Sequence, residues 1–207
     1  MLRRLFLAFS LLVLAGCSAD HKWASDEEVA RAAYSPGPPA SLTVITSINT
    51  RSGEGAHSAL LINGSQRVLY DPAGSWELPQ GFAPERNDLH YGMTQPVLDS
   101  YLTFQSSTVF QVVAQTIEVP KSVADQAMAA AIKEGAANKA FCTNSVSTVL
   151  GQLPGFESIK TVYFPKQLMR EIAKLPGVTE RVIDGHEGGH DYLPLPGQTS
   201  SSQIASN

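Results

Sequence analysis

The chain has 207 residues, 43% of them hydrophobic, and its 15 Lys and Arg against 19 Asp and Glu give a formal charge of −4. An acidic chain lacks the basic footprint that nucleic acid requires, so that class of partner is excluded. The length suits one domain with a substantial core.

Arg3 and Arg4 open the chain and are followed by an uncharged apolar run from Leu5 to Leu14. Spanning a bilayer takes about 20 apolar residues, so this run is too short for a membrane helix. A positive start, a short apolar core and a small-residue exit are the organisation of an export signal, residues 1–16. The exit, Leu14-Ala15-Gly16-Cys17, resembles the lipobox of bacterial lipoproteins. That resemblance implies diacylation of the Cys17 thiol, cleavage before it and acylation of the new amino terminus. It also implies membrane attachment, and Ser18 in place of Asp implies the periplasmic face of the outer membrane. Each buried CH₂ of such chains contributes ~0.8 kcal/mol. Loss of Arg3 and Arg4 with the signal takes the formal charge from −4 to −6.

Residues 17–40 then read as a lipidated cysteine and a flexible tether, since the polar stretch ends in Ser35-Pro36-Gly37-Pro38-Pro39. Glu27 to Ala33 offers a helical turn or two. The domain itself is expected over residues 41–184. Leu42 to Ile48 is β-branched and bounded by polar residues, which predicts a strand. Ala56 to Ile62 is a second strand, Asn63-Gly64 a hairpin turn, and Arg67 to Asp71 the return strand. Residues 75–94 read as a long irregular loop, the kind more often functional than idle. Its Trp76, Phe82 and Tyr91 could wall a substrate groove or simply anchor the loop.

Gln95 to Thr103 predicts a helix opening on Pro96, and Val109 to Val119 a strand. Pro120 introduces a helix from Ser122 to Glu134. Phe141 to Leu153 carries Val146, Val149, Leu150 and Leu153 at helical spacing and buries one stripe. Pro165 opens a helix through Leu175, and Val178 to Ile183 is a last strand. Residues 185–207 are a Gly-rich turn and a polar tail with little to bury. Few strands and several helices without strict βαβ alternation predict an α+β fold, a small antiparallel sheet packed against helices.

The two cysteines are Cys17 and Cys142. With lipid on the first, Cys142 is a lone thiol in an oxidising compartment. Such a thiol is either inert in the core or kept for its reactivity. Cys142 falls where a helix begins, and the unpaired N–H groups and positive dipole end there lower a thiol pKa. Lys139 adds to this. His57 opens the second strand and shares a face with the small Ala59, which leaves space for an approaching nucleophile. An imidazole suits the task of taking the thiol proton. A third group orients such an imidazole. Asp71 and Tyr70 are both available, and the hairpin register decides between them. Asp71 is preferred for its charge, although Asp-Pro-Ala-Gly is also good turn chemistry.

A His opening a strand in Ala-His-Ser-Ala-Leu-Leu-Ile, a polar residue in Leu-Tyr-Asp-Pro and a later Cys in Phe-Cys-Thr-Asn-Ser-Val resemble the circularly permuted papain-like hydrolases and acyltransferases. The resemblance covers roughly residues 42 to 150. It implies a papain-like fold with Cys142 as nucleophile, His57 as base and Asp71 as orienter. It further implies a thiol hydrolase or acyltransferase of the cell envelope, acting on an amide or ester of peptidoglycan or lipid. The competing expectation is a lipid-anchored binding or scaffold protein without catalysis. His186 and His190 lie four apart, but Gly185, Gly188 and Gly189 argue against the helix that would converge them. No metal and no cofactor are assigned.

Overall fold

The computed structural model describes residues 23–79, 82–107 and 109–184. Cys17, the expected export signal, and the tail with His186 and His190 lie outside the described residues. Among the described residues no helix is long and apolar enough to cross a membrane.

The fold is α+β, as the element pattern predicts. Among the described residues the seven antiparallel strands are β1 (Ser41–Asn49), β2 (Gly55–Asn63), β3 (Arg67–Tyr70), β4 (Glu85–Arg86), β5 (Leu89–His90), β6 (Phe110–Glu118) and β7 (Thr179–Asp184). They lie in the order β4-β5-β3-β2-β1-β6-β7. Among the described residues five helices complete it: α1 (Asp26–Arg31), α2 (Gln95–Gln105), α3 (Lys121–Glu134), α4 (Cys142–Leu150) and α5 (Pro165–Ile172).

Side chains of a strand alternate between faces, and here both faces are covered. Leu42, Val44, Leu60 and Ile62 meet Ala127 of α3, Val146 and Leu150 of α4 and Leu168 of α5. Ile45, Ala59, Leu61 and Val112 meet Val97, Leu98 and Tyr101 of α2 on the other side. That is why the middle of β1 is buried throughout rather than at alternate positions. Val146, Val149 and Leu150 are fully buried. At about 1.5–3 kcal/mol each, they hold α4 in place whatever its first residue does.

Two expectations are corrected. The stretch taken as a flexible tether is docked from residue 23 onward. Ala24 donates its N–H to Glu85 O at 2.8 Å, and Arg67 donates to Tyr34 O at 2.6 Å. The Asn63 amide binds Pro39 O at 2.8 Å, and the Arg67 guanidinium lies 5.3 Å over the Tyr34 ring. Val29, Ala32 and Ala40 pack on the core. The apolar residues scattered among the charges are enough to half-bury one side of the segment.

The loop over 75–94 is likewise not irregular throughout, for β4 and β5 form a hairpin at the sheet edge. Its two connecting residues, Asn87 and Asp88, both have positive φ, 52° and 62°. Primed hairpin turns need that conformation, and Asn and Asp tolerate it. Trp76 and Tyr91 are core residues, so of the two readings the anchoring one applies to them.

Candidate active site

β2 positions the histidine. Its ladder with β1 runs Ile45↔Ala59, Thr46↔Ser58 and Ser47↔His57, then shifts so that Ile48 pairs with Gly55. Ala56 is the extra residue of this bulge, directly before His57. Bulges bend a strand and re-aim neighbouring side chains. Gly55 lies close against α5: a Cβ there would meet Pro165 Cβ at 2.6 Å.

β3 settles the third group. Leu60 pairs with Tyr70, so Tyr70 shares the Leu60 face, where its hydroxyl donates to Gly135 O at 2.7 Å. Asp71, one residue on, points the other way, with Ala59 and His57. Its Oδ1 lies 2.6 Å from His57 Nε2. The Asp71 side chain is fully buried and that of His57 is 15% exposed. The turn after Asp71 requires Gly74, since a Cβ there would sit 1.8 Å from Asp71 Oδ2.

β3 pairs with β2 only from Leu60 to Asn63, so the earlier part of β2 has no strand on that side. The start of α4 fills the gap. The Cys142 sulfur comes within electrostatic reach of His57 and of the Ser58 backbone N–H, and both favour its thiolate form. Because Asp71 takes Nε2, Nδ1 is the ring nitrogen left for the sulfur. Ser58 and Thr143 join their hydroxyls at 3.1 Å, and Thr143 Oγ1 is 3.8 Å from the sulfur. Cys142 is only 8% exposed, but polar groups surround its sulfur. The structure thus brings together all three residues singled out from the sequence for catalysis. Lys139 stands exposed to solvent, where its charge is screened.

The electrostatics match the geometry. Burial pushes the Cys142 thiol up, but the His57 hydrogen bond and charge, the Ser58 N–H and the Thr143 hydroxyl outweigh it, and the pKa falls from 9.0 to about 7. Burial pulls His57 down, yet its hydrogen bonds to Asp71 and Cys142 raise it from 6.5 to about 10. Burial likewise pushes Asp71 up, and hydrogen bonds from His57 and Tyr101 bring it below the ordinary carboxylate value. Between about pH 7 and pH 10 the resting pair is therefore thiolate and imidazolium.

Several residues at the site had not been singled out. Tyr101 of α2 donates to Asp71 Oδ1 at 2.7 Å, Gln105 donates to the Tyr101 hydroxyl at 3.2 Å, and Ser47 donates to Gln105 Oε1 at 2.9 Å. Asp88 Oδ2 accepts the N–H of Ala73 at 2.7 Å and of Ala137 at 2.9 Å. One oxygen thereby links the turn after Asp71 to the loop that leads into Cys142. Phe141, 44% exposed beside Cys142, meets the Tyr163 ring edge-on at 6.0 Å, and Tyr163 and Phe164 are 57% and 72% exposed. Of these, only the aromatic run had a visible signal, two adjacent rings directly before the helix-opening Pro165.

Among the described residues no cluster of three or more His, Cys, Asp or Glu could hold a metal ion. Compared with family models, with curated proteins and with solved structures, the chain matches none.

Proposed function

We propose that the protein is an envelope thiol hydrolase or acyltransferase, lipidated at Cys17, that acts on an amide or ester bond of peptidoglycan or lipid. The observation that carries the catalytic reading is Cys142 placed beside a His57 whose Nε2 lies 2.6 Å from Asp71 Oδ1, with the thiol lowered to about 7 by His57. A buried structural cysteine has no need of an imidazolium partner, and its burial would raise the pKa instead.

The Cys142 thiolate attacks the carbonyl carbon, and charge collects on the carbonyl oxygen. No side chain caps α4, which leaves first-turn backbone N–H groups for that oxyanion. His57 passes its proton to the departing amine or alkoxide as the C–N or C–O bond breaks, leaving a thioester. Neutral His57 then takes a proton from water or another acceptor, which attacks the thioester and frees Cys142. Asp71 keeps the ring oriented and stabilises its charged form.

Alkylation of the purified protein with iodoacetamide from pH 5 to 10 tests the pair. The expected midpoint is about 7, and His57→Ala should move it upward. At pH 7 a thiol of pKa 9 is about 1% ionised against about half here, but nucleophilicity falls with pKa, so the variant should react about 5- to 10-fold more slowly. A midpoint near 9 that ignores His57→Ala would favour the alternative, a lipid-anchored binding or scaffold protein. Turnover of a substrate should rise through about pH 7 as the thiolate forms. It should fall through about pH 10 as the imidazolium loses the proton needed by the leaving group.

A further inference from the structure

Asp71 is held from two sides. His57 Nε2 and the Tyr101 hydroxyl both meet its Oδ1, at 2.6 and 2.7 Å. Tyr101 is fully buried on α2, and the edge of its ring contact with Trp76 lies at 5.3 Å between centroids. Its hydroxyl has a defined direction because Gln105 Nε2 donates to the oxygen, so the single O–H proton is free only to point at Asp71. Gln105 is fixed in turn by Ser47, the cross-strand partner of His57. The hydrogen bonds therefore run from His57 through Asp71, Tyr101 and Gln105 to Ser47, and return to His57 across the β1–β2 ladder.

We propose that Tyr101 is a positioning residue that sets the proton affinity of His57 by sharing the charge of Asp71, with Gln105 as its support. The inference rests on the Cys142–His57 reading. A carboxylate oxygen that accepts a strong hydrogen bond from a phenol has less charge to offer the imidazolium. Burial and the Asp71 charge hold the Tyr101 phenol well above its usual range, so it stays a donor at every pH at which the pair is ionised. Removing that donor leaves the full charge on His57 and frees the carboxylate to turn.

The test is the titration of the His57 ring by NMR, assigned through His57→Ala, in wild type, Tyr101→Phe and Gln105→Leu. The expected midpoint of about 10 should rise by about half a unit in Tyr101→Phe, about 3-fold in proton affinity, and by less in Gln105→Leu. Cys142 alkylation should keep its midpoint near 7 in both variants. An unshifted His57 titration in a Tyr101→Phe protein whose Tm alone has fallen would reduce Tyr101 to a packing residue. Where Tyr101→Phe does not fold, Gln105→Leu carries the same decision. A wild-type thiol that titrates near 9 would instead remove the Cys142–His57 reading and Tyr101's role with it.

Discussion

Tyr70 and Asp71 are neighbours in the chain and serve opposite faces of the sheet. The sequence left both as partners for His57, because a strand pattern shows alternation but not its phase relative to the next strand. The pairing Leu60↔Tyr70 supplies the phase. The two substitutions should consequently separate cleanly. Asp71→Asn removes the carboxylate that raises His57, so the His57 titration should fall from about 10 and the thiol midpoint should climb above 7. Tyr70→Phe loses one hydrogen bond to Gly135 O, a cost of about 1 kcal/mol measurable by urea unfolding, with the thiol midpoint unchanged. Cys142 and His57 were legible as residues because a lone thiol outside the expected export signal and lipidation site and a histidine beside small residues are both unusual. Tyr101 was not, since a tyrosine at a buried helical position reads as core.

Among the elements, the strands and helices of the central domain lie close to where periodicity, Pro and Gly place them. The sequence shows Phe141 to Leu153 as helical, and α4 runs from Cys142 to Leu150, so Cys142 does open its helix. Less visible were elements that depend on tertiary support. β4 and β5 are two residues each, too short for any alternation to register, and their turn carried only the Asn87-Asp88 signal. That small hairpin matters because it carries Asp88. Asp88→Ala would leave the Ala73 and Ala137 N–H groups without their acceptor. Hydrogen bonds to a charged group are each worth about 1.5–3 kcal/mol, and part is recovered by water at this half-open loop. Urea unfolding should report a loss of about 2–4 kcal/mol, and the thiol midpoint should drift upward as the loop before Cys142 loosens.

At the scale of the molecule, the antiparallel sheet was expected from the hairpin signals, but its coverage on both faces was not. α2 lies between strands in the chain as α3 does, and nothing in a local pattern says which face a helix will take. The lipid attachment proposed at Cys17 makes its own prediction. Cys17→Ser should move the protein from the membrane to the soluble fraction and abolish incorporation of labelled palmitate. Retention on the membrane by the variant would show that another feature holds it there.

The packed segment from Trp23 to Ala40 bears on how far a lipidated molecule could roam. Only residues 18–22 separate Cys17 from the first docked residues, a stretch that extends about 20 Å at most. A catalytic centre on so short a leash would patrol the bilayer surface and could not explore the depth of the compartment. Splicing about ten Gly and Ser residues after Lys22 would lengthen the average reach by about 8–10 Å. Activity on substrates held away from the membrane should then rise, while activity on soluble esters should stay the same.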